Sequence, residues 1–234
     1  MFKVRFKDLG LIEYKKAWDI QQQHFDLISK NKLENRNKPT DQQVLVENRL
    51  YFCEHPHVYT LGKHGDANNL LLDKNELDEK EIGFYQINRG GDITYHGPGQ
   101  IVGYPVFDLD TLFTDIGKFL RLMEEAIILT LAEYGIDGGR IDGLTGVWLD
   151  INDPIKARKI CAMGMHISRW VTMHGFALNV NSDVDYYQHI VPCGIQDKGV
   201  TSMQKELGYK PDIEEVKSKL LNHLQQLFNI EWIK

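Results

Sequence analysis

Residues 89–100, Arg89-Gly90-Gly91-Asp92-Ile93-Thr94-Tyr95-His96-Gly97-Pro98-Gly99-Gln100, restrict the fold more than any other stretch of the chain. Glycine admits positive φ and lets a ligand or a second backbone come close to the main chain. Between the two glycine pairs lie Ile93, Thr94 and Tyr95, which are good strand formers. The stretch therefore reads as a short strand with a bare loop at each end. Residues 84–88 before it and 101–109 after it are further strand-like runs. Connections this short join antiparallel strands, because a parallel crossover needs a dozen or more residues. A mixed, largely antiparallel sheet follows. The segment is either a pair of ordinary turns around a strand or a ligand loop; Arg89, Asp92, Tyr95 and His96 set among glycines favour the second. It is not a P-loop, since no Gly-Lys-Ser/Thr follows. Nor is it a dinucleotide fingerprint: Gly97 and Gly99 supply two glycines, but the third place is Val102 and a strand follows where a helix is needed.

The 234 residues fit one α/β domain spanning 1–234, with no repeat, low-complexity run or linker to divide them. A hydrophobic share of 42% and a charged share of 26% allow a sizeable core. The net charge of -6 argues against non-specific nucleic-acid binding. Basic clusters at residues 30–38 and 156–159 are either solvated surface or a place for an acidic partner. Three cysteines, Cys53, Cys161 and Cys193, are too few for a disulfide framework and point to a reducing compartment. Residues 1–7 alternate charged and apolar residues, the pattern of a strand and not of a signal peptide. No run approaches the ~20 apolar residues of a membrane helix. The expectation is a soluble cytoplasmic protein with no membrane or nucleic-acid partner.

Leu11, Tyr14, Trp18, Phe25 and Ile28 fall at helical spacing, with Gln21 filling the gap, and the polar residues 31–43 read as a loop. Residues 44–52 read as extended, with a hairpin turn near 47–49, and residues 69–72 as a short strand. The long helix is 115–134, with Gly135 as its stop. Residues 138–146 read as a loop; 146–149, 159–167 and 173–180 as strands; 183–190 as a short helix. A last helix starts at Asp212 with Glu215 as a capping box, and 230–233 adds a final strand.

Cys193 lies between Pro192 and Gly194. It is either an accessible thiol whose neighbouring N–H groups face an oxyanion or a small buried hydrophobe. Cys161, mid-strand, reads as core. Lys159 opens the same strand and is either a surface lysine or, if partly desolvated, a proton-exchanging group. Cys53, His55 and His57 alternate, with His64 near by, in the manner of a metal site, but Pro56 breaks the strand that would align them. No G-x-S-x-G elbow is present.

Several motifs occur together and in order: Cys-Glu-His-Pro-His-Val-Tyr-Thr-Leu-Gly at 53–62, the glycine segment at 89–100, Lys-Ile-Cys-Ala-Met-Gly at 159–164, His-Gly-Phe-Ala-Leu-Asn at 174–179 and Pro-Cys-Gly-Ile at 192–195. In this combination, over nearly the whole chain, the sequence resembles the octanoyl-[acyl-carrier-protein]:protein N-octanoyltransferases, also called lipoate–protein ligase B. The insert at 30–43 and Cys161, often alanine in such proteins, depart from the pattern.

The resemblance implies the fold of biotin and lipoate protein ligases, one α/β domain with a central mixed sheet flanked by helices. It implies a catalytic dyad of Cys193 and Lys159. It places Arg89, Gly90, Gly91, Asp92, Ile93, Thr94, Tyr95 and His96, with Ala162, Met163 and Gly164 and with Gly175, Phe176 and Ala177, around the acyl chain. Each buried methylene contributes about 0.8 kcal/mol, so a narrow slot holds an eight-carbon tail usefully. Lys159 would draw the thiol proton or stabilise the thiolate of Cys193. The thiolate would take octanoyl from octanoyl-acyl carrier protein as a thioester, and a lysine of an apo lipoyl domain would then accept it as an amide. The acceptors implied are the E2 subunits of 2-oxoacid dehydrogenases and the glycine cleavage H protein. No cofactor, ATP or metal is implied. An ATP-dependent lipoate or biotin ligase of the same fold is the nearest rival; Cys193 with Lys159 speaks against it. A non-catalytic acyl-binding member and a cysteine hydrolase are the other readings.

Overall fold

The computed structural model describes residues 1–45, 47–191 and 199–233. The amino-terminal strand β1 (Phe2–Leu11) is longer than its alternating first seven residues suggest and takes in Leu11, which is exposed and does not belong to the helix after it. That helix, α1 (Tyr14–Asn35), buries Tyr14, Ala17, Gln21, His24, Phe25 and Ile28, a single stripe at helical spacing. It runs on through part of the segment expected to be a loop. Its last turns are polar, but Lys32 reaches Asp108 and Asp110, the latter at 2.7 Å, and tethers them. The Asn35 side chain then holds the returning chain at Val44, donating to its carbonyl at 2.8 Å and accepting from its N–H at 2.9 Å.

No hairpin forms at residues 47–49. Strand β2 (Asn48–Glu54) runs in one piece and pairs parallel to β1, Val4 opposite Asn48, across the α1 crossover. Then come β3 (Val58–Leu61), α2 (Lys74–Glu79), β4 (Gly83–Gln86), β5 (Ile93–His96) and β6 (Gln100–Val106). Residues 69–72, expected as a strand, form the end of a 3-10 turn and a single bridge from Leu70 to Ile190. Helix α3 (Ile116–Ala132) falls within the expected 115–134 and buries Phe119, Met123, Ile127 and Leu131, and Gly135 follows it with φ +73. Residues 138–146 are a hairpin and not a loop: β7 (Gly138–Ile141) and β8 (Leu144–Leu149) turn at Asp142 and Gly143. The pair is held to α3 by the buried Glu124, which accepts from Arg140 Nε at 2.9 Å and from the Gly146 N–H at 3.0 Å.

Strands β9 (Arg158–Ser168) and β10 (Val171–Asn179) form a long antiparallel pair turning at Arg169 and Trp170. Residues 184–189 form a 3-10 helix. The chain ends with β11 (Gly199–Val200), α4 (Met203–Leu207), α5 (Ile213–Phe228) and β12 (Ile230–Ile233). Asp212 caps α5 through the Glu214 N–H at 3.0 Å; the reciprocal capping box is instead made at α2, by Asp73 and Glu76.

Among the described residues, nine strands form one sheet in the order β12-β1-β2-β6-β10-β9-β8-β7, with β11 beside β9. It is mixed: β1 pairs parallel on both sides, while β2, β6, β10, β9, β8 and β7 are antiparallel in succession. Helices α3 and α5 cover one face through a core that includes Phe52, Phe176, Cys161, Leu131 and Leu220. The other face carries α1, packed on Tyr51, Val102, Tyr104 and Met173. The small sheet β4-β3-β5 has its own cluster around Tyr59, Leu61, Ile93 and Tyr95. This is the expected single α/β domain with a mixed, largely antiparallel sheet flanked by helices.

Candidate active site

On the α1 face, a cavity opens between β9, β10 and the segment 89–96. Its floor is made of small residues in register: Ala162 opposite Ala177 and Gly164 opposite Gly175. The segment 89–96 crosses above this floor at contact distance. The Gly90 N–H donates to Met165 O at 2.8 Å, and a Cβ on Gly164 would lie 2.7 Å from the Gly90 oxygen. On its other side the Lys63 N–H donates to Arg89 O at 2.9 Å and the Gly62 N–H to Asp92 O at 3.1 Å. Gly91 takes φ +90 at the crossing, a conformation glycine permits. The Arg89 guanidinium, almost buried, donates from Nη2 to Thr60 O at 2.8 Å and thus ties the loop to β3.

Lys159 enters the cavity because β9 is bulged. Val147 of β8 pairs with Cys161, but Trp148 pairs with Lys159, so Ile160 is the extra residue. Ile160 and Cys161 are both wholly buried in the α3/α5 core. A bulge of one residue inverts the alternation, and Lys159, three residues from Ala162, comes to share its cavity. Its ammonium lies 4.5 Å from the centre of the Trp148 ring. A cation–π contact of this kind holds the flexible side chain against the ring. Gly199 and Val200 line the same end, Val200 pairing with Lys159. Cys193 lies outside the described residues.

Of the remaining residues expected around an acyl chain, Arg89, Gly91, Asp92, Ile93, Thr94 and His96 line the cavity, as do Ala162, Met163, Gly164, Gly175, Phe176 and Ala177. Two lie elsewhere. Gly90 faces an adjoining groove beside Met165 and Leu144. Tyr95 is turned into the small sheet: its hydroxyl is 2.7 Å from His57 Nδ1, and its ring stacks on Tyr186 with centroids 4.9 Å apart. Thr94 and His96 share one face of β5, and Tyr95 between them points to the other, where it packs with Ile93 in the small-sheet cluster; Ile93 reaches the cavity from the start of the strand. His57 therefore belongs to an aromatic stack, whereas Cys53 and His55 meet each other, Sγ to Nε2 at 3.4 Å; the alternating Cys53-His55-His57 set is not brought together.

Sequence reasoning missed several lining residues: Tyr14, Val102, Tyr104, Trp148, His174, Asn179 and Tyr187. Tyr14 reads as part of the apolar stripe of α1, and within the motif at 174–179 the resemblance places only Gly175, Phe176 and Ala177 around the acyl chain. Besides Lys159, the cavity lining carries Arg89, Asp92 and the imidazoles of His96 and His174. Burial, then the neighbouring His55, pushes His96 down to about 3; burial pushes His55 down to about 4. Both imidazoles are neutral at physiological pH. His96 Nδ1 lies 2.8 Å from Gln100 Oε1, Gln100 Nε2 donates to Asn179 Oδ1 at 2.9 Å, and Asn179 Nδ2 donates to Thr201 O at 3.0 Å. The Thr201 N–H in turn donates to Lys159 O at 3.0 Å, so a bonded chain runs from the glycine segment to the lysine backbone. Burial raises the thiols of Cys161 and Cys53, which makes both weak nucleophiles.

The fold is that of protein lipoylation enzymes. The bipartite lipoate protein ligase of Thermoplasma acidophilum superposes with a TM-score of 0.68 at 17% identity, covering 100% of this chain and 87% of that one. A lipoate-protein ligase A bound with ATP superposes with a TM-score of 0.66 at 18% identity, covering 100% and 87%. Residues 13–225 match the lipoyl protein ligase A/B catalytic domain. Proteins named octanoyltransferase are 59% identical in Cytophaga hutchinsonii over 97% of this chain and 93% of the relative, and 58% identical in Flavobacterium johnsoniae over 98% of each. The one from Parabacteroides distasonis is 47% identical over 97% of this chain and 100% of its own length. The chain belongs to the lipoyl protein ligase A/B catalytic family, on its octanoyltransferase branch.

Proposed function

We propose that this enzyme is an octanoyltransferase that moves octanoyl from acyl carrier protein to a lysine of apo lipoyl domains through a thioester on Cys193. The observation that carries the reading is the β9 bulge, which delivers the Lys159 ammonium to one end of a slot floored by Ala162, Gly164, Gly175 and Ala177. A cation at the end of an apolar slot suits a thioester carbonyl at the lysine and an aliphatic tail over the small residues. Lys159 stabilises the Cys193 thiolate; the thiolate attacks the octanoyl thioester, and the phosphopantetheine thiolate leaves with a proton from Lys159. The acceptor amine then attacks the acyl-enzyme, gives up a proton and leaves an amide, restoring the thiol. The acceptors are lipoyl domains of 2-oxoacid dehydrogenase E2 subunits and the glycine cleavage H protein, and the setting is the cytoplasm. No nucleotide enters this cycle.

The test is intact mass after mixing with octanoyl-carrier protein in ATP-free, EDTA-treated buffer. One octanoyl group on Cys193, discharged on adding an apo lipoyl domain, is the expected result. A strict requirement for ATP and Mg²⁺ would move the protein to the ligase class.

A further inference from the structure

His174 is a strand residue with φ +61, in the left-handed region that non-glycine residues avoid. Its cause lies across the sheet. The β10–β6 register pairs Phe176 with Gly103, and extended by two residues it sets His174 opposite Pro105. Proline has no N–H to give to the ladder, and the Pro105 carbonyl is already taken by Thr172 Oγ1 at 2.7 Å. The His174 N–H turns away from β6 and donates to Gln21 Oε1 of α1 at 3.0 Å. The ladder resumes at Thr172, whose N–H donates to Phe107 O at 2.9 Å.

The turn of the backbone brings the His174 ring onto the α1 face, where it lines the acyl slot and places Nε2 2.9 Å from Asn88 Oδ1. Asn88 immediately precedes Arg89-Gly90-Gly91. Gly90 is itself bonded to Met165, the register partner of His174. One rung of the β9–β10 pair therefore grips the glycine loop at two points, a backbone bond from β9 and a side-chain bond from β10. We propose that His174 is a positioning residue of the transfer site: its imidazole clasps Asn88 and fixes the Arg89–Gly91 loop over the acyl slot. This role rests on the octanoyl-transfer reading given above.

The clasp works with a neutral ring carrying its proton on Nε2. Burial, then the Arg89 guanidinium and His166, pushes His174 down to about 3. Nδ1 is buried and has no hydrogen-bond partner among the described residues, in keeping with an unprotonated Nδ1. The strained backbone persists because Gln21, Pro105 and the ring contact together determine it.

The test compares Asn88→Ala, His174→Leu, the double variant and His174→Asn. Asn88 is only partly buried, so Asn88→Ala removes the clasp with little risk to folding. Amide exchange at Gly90 and Gly91 should quicken at least tenfold in Asn88→Ala and His174→Leu, with no further change in the double variant. KM for octanoyl-carrier protein should rise at least tenfold in both, with kcat less affected. His174→Asn, which tolerates the left-handed backbone and keeps a donor, should recover part of both losses. In the wild type, ¹⁵N ring shifts should show a neutral Nε2–H imidazole at pH 6. Unchanged loop exchange in Asn88→Ala, additive effects in the double variant, or a ring titrating near 6.5 would overturn the clasp. If the wild type transfers no octanoyl group at all, the functional reading fails while exchange and ring shifts still decide the clasp.

Discussion

Lys159 owes its direction to its neighbours Ile160 and Cys161, which both dive into the core and leave it on the slot. Its charge, held over Trp148, is the feature a transfer reaction needs. General acid–base assistance is typically worth ~10²–10⁴-fold, so Lys159→Met should lose at least about that much rate. Lys159→Arg should not restore it, because a guanidinium stays protonated and cannot cycle a proton. Adding Lys159→Met to Cys193→Ala should cost little more, since members of one catalytic unit are not additive. Cys53→Ala and Cys161→Ala should leave acylation in place, because burial raises both thiols. Stopped-flow acylation and peptide mapping of the acyl group decide all of these; an acyl group on Cys53 or Cys161, or an active arginine variant, contradicts the assignment. Slot length is set at the same scale. Ala162→Val adds two methyl groups to the floor and should displace about two methylenes of acyl chain. At about 0.8 kcal/mol each, kcat/KM for octanoyl should fall roughly 10–20-fold while a six-carbon donor loses much less. Equal losses for both chain lengths would place the tail elsewhere.

Whole elements were legible where hydrophobic period and glycine spacing agree, as in α3, β5 and the β9–β10 pair. They were not legible where long-range polar contacts do the holding. The polar end of α1 reads as loop until Lys32 is seen on Asp108 and Asp110. The β7–β8 hairpin, rich in glycine, reads as loop until Glu124 is seen beneath it. The small-residue floor followed from the motifs, but Tyr14, Trp148 and His174 did not, because aromatic residues at strand and helix spacing look like ordinary core. Nor does the bulge show in the sequence. It is marked by Gly146, which takes φ +110 where an added Cβ would lie 2.4 Å from the Cys161 carbonyl oxygen. Gly146→Ala is strained both by its φ and by that contact, and should destabilise the fold by about 2 kcal/mol or more. Because the displaced backbone is that of the bulge, acylation should fall as well, even at temperatures where the variant is fully folded. Urea unfolding read beside acylation rate checks both; normal acylation in a folded but destabilised Gly146→Ala would detach the bulge from the aim of Lys159.

At the scale of the molecule, burial of neutral imidazoles links the site to the stability of the fold. His55, His96 and His174 lie within the structure with folded values of about 4, about 3 and about 3, burial being the largest cause in each. An unfolded histidine titrates near 6.5. Above that pH neither state holds the proton, and the buried rings cost nothing. Below it the unfolded chain binds protons that the folded chain refuses, so stability falls with pH until the folded values are reached. Each such group contributes a slope of about 1.4 kcal/mol per pH unit, and three together give about 4. His24, His57 and His166 are lowered as well and add to the same trend. Carboxylates held low by partners, among them Glu47 with Arg5 and Glu206 with Arg158, begin to act only below about 4.5, so the interval from 6.5 to 4.5 isolates the histidines. A domain stable by ~5–15 kcal/mol should then unfold roughly 1–4 units below 6.5. Urea midpoints at constant m-value should be flat between pH 7 and 8 and fall steeply from 6.5 to 5. His55→Gln, which cannot titrate, should reduce that slope by about 1.4 kcal/mol per pH unit. A wild type equally stable at pH 7.5 and 5.0 would mean that these rings take up protons without unfolding the chain, and the slot wall at His96 and His174 would then be charged in mild acid.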